Sequence, residues 1–131
     1  MTTILAKAAL DVGLVTANPD PLLDFYVGVF GLERLEPLII PSVGTIHKLA
    51  AGDSVLRIMQ PEQPPQIDES EWSASSGIRY MTIEVLHATQ VANAVPEYGG
   101  EVKLGPIELR PGRFVCQVHD PHVNMIEVGQ G

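Results

Sequence analysis

The sequence predicts an α+β fold made of two βαβββ modules in tandem, and three observations lead there. Residues 61–76, PEQPPQIDESEWSASS, combine prolines, acids and serines with almost no periodic apolar content, as a linker does. The stretches on either side, 8–60 and 77–129, are equal in length and invite comparison as repeats. Each reads as strand, helix, strand, strand, strand. A ferredoxin-like domain would place its second helix after the third strand, so this order excludes it.

In the first module (8–60), ALDVGLVTA alternates apolar with small or polar residues over a strand's length. Asn18-Pro19-Asp20-Pro21 then changes the period. Asp20 is expected to be the N-cap, with Pro21 at the first helical position, where its missing N–H costs nothing. Leu22, Tyr26 and Val29 fall on one helical face, and Gly31 ends the helix. LERLEPLII, VGTIHKLAA and SVLRIMQ follow as strands, with Pro41-Ser42 and Gly52-Asp53 as turns.

In the second module (77–129), GIRYMTIEV alternates as a strand, and Ala88, Val91, Val95 and Tyr98 then recur at helical spacing before Gly99-Gly100. Pro96 removes a backbone donor and is expected to kink or shorten that helix near its end. EVKLGPIEL, RFVCQVH and NMIEV complete the strands, with Arg110-Pro111-Gly112 and Asp120-Pro121-His122-Val123 as turns. All 131 residues are thus expected to form one domain.

Composition bounds the function. Eight Lys and Arg against sixteen Asp and Glu leave a formal charge of −8, the wrong sign for binding a phosphate backbone, so no nucleic-acid partner is expected. No apolar run approaches the ~20 residues that span a bilayer, so no membrane partner is expected. A single cysteine, Cys116, excludes an intrachain disulfide and a Cys-rich zinc site, and the reducing cytoplasm is the expected setting.

The pattern resembles the vicinal oxygen chelate superfamily, which groups glyoxalase I, bleomycin-resistance proteins and extradiol ring-cleavage dioxygenases. DFYVGVFGLE at 24–33 is similar to the family's helix-to-glycine segment, and DPHVNMIEV at 120–128 to its closing turn and last strand. The resemblance covers nearly the whole chain. It implies sheets that curl into a cup-shaped mixed sheet with helices outside, a small organic molecule inside, and a homodimer.

Metal-dependent members of that family draw four ligands, usually His or Glu, from the first and last strand of each module. The resemblance places Asp11, Arg57, Tyr80 and Glu127 at those positions. Repetition supports the placement, because Asp11 to Tyr80 and Arg57 to Glu127 span the same interval to within one position. Alternation supports it too: Leu56 and Ile58, Ile126 and Val128, and Met81, Ile83 and Val85 form packing sets, leaving Arg57, Glu127, Tyr80 and Thr82 on the other face.

Here the chain departs from the family. Glu127 is a usual ligand and Asp11 a substitute, but Tyr80 is a poor ligand and a guanidinium none, since it keeps its charge. Two unit charges ~4 Å apart interact by about 4 kcal/mol at an effective dielectric of ~20, and a divalent ion would roughly double the repulsion. No cofactor is therefore predicted; a divalent metal, if held, would sit on Asp11 and Glu127.

Two function classes follow. One is a metal-free pocket that binds or sequesters a small organic ligand, with Arg57, Tyr80, His47 and Thr82 lining it. An acidic protein suits a cationic ligand. The other is an enzyme: a glyoxalase-like lyase or isomerase, or a ring-cleavage dioxygenase, using an irregular metal site or Arg57. In that reading Arg57 grips a carboxylate or enolate oxygen, Glu127 or Asp11 is the general base, and Tyr80 donates a hydrogen bond. Against both stands a salt bridge of Arg57 with Asp11 and Glu127 that merely fills the cup.

His47 shares parity with Thr45 and Leu49 and reads either as a cup-facing group or as a satisfied strand histidine. His119 and His122 flank a β-turn and read as surface histidines. Cys116 alternates with Phe114 and Val118 as a small buried apolar residue. Trp72 lies among the linker acids Glu62, Asp68, Glu69 and Glu71, which read as an exposed loop or, alternatively, as a lid over the cup.

Overall fold

Alternation along the strands decides which sheet face is buried, and the helices cover that face in both modules. The computed structural model describes residues 2–131. The first module holds β1 (Val12–Val15), α1 (Asp20–Phe30), β2 (Glu33–Ile40), β3 (Gly44–Ala51) and β4 (Ser54–Pro61). The second holds β5 (Tyr80–Glu84), α2 (Ala88–Ala94), a 3-10 turn (Val95–Tyr98), β6 (Glu101–Arg110), β7 (Arg113–His119) and β8 (Met125–Gln130). No helix among the described residues is long and apolar enough to cross a membrane.

Each module forms a four-stranded mixed sheet, ordered β1-β4-β3-β2 and β5-β8-β7-β6. The first and last strands of a module pair in parallel, and the other pairs are antiparallel. The two βαβββ modules are thus present as expected, each as its own mixed sheet; the sheets are not closed, and no ladder joins them among the described residues.

One apolar core serves both modules. Leu56 and Ile58 of β4, Leu49 of β3, Cys116 and Val118 of β7, and Ile126 and Val128 of β8 cluster with Leu22, Leu23, Phe25 and Tyr26 of α1 and with Val91 and Val95. Fully burying a Leu, Ile, Val or Phe stabilises by ~1.5–3 kcal/mol, so this cluster dominates the favourable side of folding. Burial also pushes the Cys116 thiol above its ordinary value, which leaves it a poor nucleophile.

Local structure departs from expectation at the element ends. Pro19, not Asp20, precedes the first turn of α1, and no side chain caps it; Asp20 lies inside that turn, where its charge complements the helix dipole. Gly31 closes α1 in the left-handed region at φ 68°, as its lack of a Cβ permits. Pro96 has no N–H to donate, so α2 stops at Ala94 and tightens into the 3-10 turn. β1 is shorter than the nine residues of ALDVGLVTA; on its N-terminal side the Asp11 side chain accepts the Val55 N–H, 2.9 Å away.

The turn between β7 and β8 is organised by Asp120, which is 2% exposed. Its Oδ1 accepts the His122 and Asn124 backbone N–H groups at 2.8 and 3.0 Å, and its Oδ2 accepts the Asn124 amide at 2.9 Å. The Tyr26 hydroxyl also donates to Oδ2, at 2.7 Å. This last bond ties the helix of one module to the closing turn of the other. His122, expected on the surface, is partly buried, with its Nδ1 2.9 Å from the Thr16 hydroxyl. Asp120 draws the turn inward and carries His122 toward β1 with it.

Candidate functional site

Strand register places each predicted residue on one face or the other, because directly paired residues share a face. Arg57 pairs with Gly13 and Lys48, away from the core. Glu127 pairs with Thr82 and Gln117, again away from the core. Tyr80 pairs with Met125 on that same side. His47 does not join them. It pairs with Ile58 and so belongs to the helix-covered face; β3 carries apolar residues at both parities, and only its register with β4 settles which side is inward.

Around Arg57 the charges are mutually satisfied. Asp11 stands just before β1 and accepts from Lys7 Nζ at 2.8 Å and from the Val55 N–H. Arg57 Nη2 lies 3.8 Å from its other oxygen. The Lys7 hydrogen bond, then the Val55 N–H, hold the Asp11 carboxyl below its ordinary value. Such a carboxylate is a weak base. Arg57 therefore pairs with Asp11 alone, and no ion pair joins it to Glu127 among the described residues.

Around Glu127 the surroundings are aromatic and polar. Glu127, Tyr80, Gln117, Met125 and Trp72 line a cavity of about 70 Å³. Trp72 comes from the segment joining β4 to β5, whose residues 62–79 form no helix or strand. Its ring meets Tyr80 edge-on, with centroids 5.6 Å apart and planes at 78°. Arg79 Nε donates to the Trp72 carbonyl at 2.9 Å and holds the segment there. A larger cavity, about 310 Å³, opens beside this site between β1 and β5, lined by Val12–Val15 and Ile78–Met81 with Asn124 and Met125.

Farther along the same face, Arg113 makes a two-point contact with Glu84 at 2.7 and 2.8 Å. That bond holds Glu84 below its ordinary value, and it raises Arg113, with a smaller contribution from the charge of Glu127. Gly129 beneath the pair has no Cβ, and one there would collide with both groups. The sequence reading passed over Arg113 and Gln117. For Gln117 a signal existed, since it lies between Cys116 and Val118 and so points away from the core; for the Glu84–Arg113 pair none did, because its partners are distant in sequence.

A model of the Glyoxalase/Bleomycin resistance protein/Dioxygenase superfamily matches residues 9–128. The chain belongs to this superfamily. Among solved structures, a glyoxalase family protein from Enterococcus faecalis superposes with a TM-score of 0.74 at 22% identity, over 95% of this chain and 98% of the other. One from Bacillus cereus gives 0.79 at 14% identity, over 97% and 98%. Fosfomycin resistance protein FosX from Mesorhizobium loti gives 0.68 at 17% identity, over 97% and 94%. At these identities the likeness is one of fold. No curated protein gives a significant match.

Superfamily membership makes the donor set worth testing against a divalent ion. Of the four positions singled out by the resemblance, Arg57 offers a permanent cation and Asp11 is already engaged by Lys7 and Val55. Among the described residues, no three of His, Cys, Asp and Glu are grouped so as to hold a metal. The residues present do not fit the ion.

Proposed function

We propose that this chain is a metal-free small-molecule-binding member of the superfamily, acting as a homodimer in the cytoplasm. The ligand lies on the sheet face that carries Glu127, and Glu127, Tyr80 and Thr82 contact it. Arg57, beside Asp11, stands at one of the positions where the resemblance implies a metal ligand. The observation that supports this reading is the Asp11–Arg57 contact at 3.8 Å: the position that the resemblance assigns to a metal ligand carries a permanent positive charge.

A lyase or isomerase would need a competent base and a free anion-holding group aimed at one substrate. Asp11 has its basicity depressed, which leaves Glu127 as the base, and Arg57 stands beside Asp11, 3.8 Å away, with no ion pair to Glu127 among the described residues. Binding asks less of the same residues.

Surface area supports the homodimer. A 14.2 kDa monomer is expected to expose about 6,800 Å² by the usual scaling, whereas this chain exposes 8448 Å². Leu35 and Leu38 on β2 and Leu104 and Ile107 on β6 are exposed apolar residues on the outer strands, away from the core. A second copy would cover them.

Elemental analysis of the purified protein, followed by thermal-shift titration with Ni²⁺, Zn²⁺, Mn²⁺ and Fe²⁺, tests the metal-free reading. The expected result is no stoichiometric metal and an unchanged Tm. A bound ion that raises Tm overturns it, because a native-state ligand must stabilise. Sedimentation should give twice the chain mass; a monomer at all concentrations removes the homodimer.

A further inference from the structure

We propose that the corner formed by Trp72, Tyr80 and Glu127 recognises an organic cation, the quaternary or protonated amine head of a small molecule. This rests on the small-molecule reading above and adds to it the charge class of the ligand and the segment that selects it. Three observations carry it.

The first is the shape of the walls. Trp72 and Tyr80 meet nearly at right angles, so the two rings form adjoining sides of one cavity. An aromatic face carries a negative quadrupole, and a cation within about 6 Å of it is attracted. The volume, about 70 Å³, suits the head of a ligand and not the whole of one, since pockets for drug-sized molecules run to ~300–1,000 Å³. The 310 Å³ cavity shares Tyr80 and Met125 with it and leaves room for the remainder.

The second is the charge. Among the described residues no Lys, Arg or His lies within salt-bridge distance of Glu127. The neighbouring acids on this face are already matched, Asp11 by Lys7 and Arg57, and Glu84 by Arg113. Glu127 makes no ion pair of its own; Arg113, which feels its charge, is bonded to Glu84, so Glu127 is the carboxylate left for a ligand. An anionic group would be repelled by it, and an apolar one would strip its water without replacing the lost hydrogen bonds. A cation satisfies both the carboxylate and the rings.

The third is that the Trp72 wall is held in place. The bond from Arg79 fixes the Trp72 backbone, and the charge of Arg79 is felt by Asp68, whose carboxyl is held low first by Ser70 and also by Arg79. Asp68 in turn orders its own loop through the Ser70 N–H and hydroxyl, at 3.0 and 2.7 Å. The Trp72 backbone is therefore held, and its ring rests against Tyr80, which reduces the ordering cost of binding.

Trp72 is the chain's only tryptophan, so its fluorescence reads this corner directly. The test is titration of the full chain with choline and, separately, with 3,3-dimethylbutan-1-ol, its neutral isostere. Choline should change the emission saturably, with the isostere at least about tenfold weaker, as the loss of one charge contact implies. Glu127→Gln should weaken choline about tenfold, and Tyr80→Leu severalfold, each at wild-type Tm. Equal binding of the isostere, an unaffected Glu127→Gln protein, or no saturable change up to about 50 mM choline overturns the cation site.

An NMR fragment screen with neutral and anionic molecules separates this failure from that of the broader reading. Hits that shift Thr82 and Gln117 while choline is silent retain a small-molecule pocket and discard the cation. No hits at all discard both.

Discussion

Among the described residues the Tyr26–Asp120 hydrogen bond is the polar contact that ties the helix of the first module to the closing turn of the second inside the core, and it can be tested through Tyr26→Phe. Both partners are buried, at 0% and 2% exposed, and the bond is 2.7 Å long. A hydrogen bond to a charged acceptor contributes ~1.5–3 kcal/mol. Oδ2 keeps the Asn124 amide at 2.9 Å in the variant, so the loss should fall at the lower end, about 1.5–2 kcal/mol. For a chain of this length that lowers Tm by about 5–7 °C. The assay is urea denaturation followed by far-UV circular dichroism. pH supplies an independent check: burial first, then the Asp120 charge and the hydrogen bond, push the Tyr26 hydroxyl well above its ordinary value. Because the folded state holds that proton more tightly than the unfolded chain, the contribution is complete below about pH 10 and is lost as pH rises beyond it. Wild-type stability should therefore fall more steeply than that of Tyr26→Phe above pH 10. A variant within about 0.5 kcal/mol of wild type at neutral pH, with parallel alkaline limbs, would refute the coupling.

Three further predictions follow from single sites. Val123 has φ 68°, a left-handed conformation that costs a β-branched residue ~1–2 kcal/mol; Val123→Gly should raise stability by up to about 1 kcal/mol in urea melts, and a loss would remove the strain. At Gly100 a Cβ would press on the His119 carbonyl, the Phe25 ring and Val95, so Gly100→Ala should destabilise by about 1–3 kcal/mol, and a neutral result would mean that the contact relaxes. Glu84 is held low by Arg113, so its contribution is present above the ordinary carboxylate value and lost as pH falls through the lowered one; Arg113→Gln should flatten the acid limb of stability against pH, which thermal melts between pH 2 and 5 would show.

The module order was legible because it depends on local signals. Proline and glycine punctuate the elements, and period-two alternation assigned Arg57, Tyr80, Thr82 and Glu127 to the face away from the core. His47 escaped that method. Leu49 at its own parity is buried, while Ile46 at the other is also apolar, so alternation alone left its side open; pairing with Ile58 decides it. For Trp72 alternation says nothing, since a segment without regular structure has no period to read, and the choice between an exposed loop and a lid over the cup stayed open.

What the sequence determined by itself is therefore the repeat, the order of strands and helices, and the charge at the four positions drawn from the resemblance, including the guanidinium that does not fit a metal. These are properties of composition and near neighbours. Only the tertiary structure decided which charges meet: Arg57 with Asp11 and not with Glu127, Arg113 with Glu84, Tyr26 with Asp120 across 94 positions, and Trp72 against Tyr80 beside a Glu127 that makes no ion pair among the described residues. Such pairings depend on strand register and on the course of a loop, and both are set by packing between segments remote in the chain, where the spacing of residues along the sequence carries no information about distance in space.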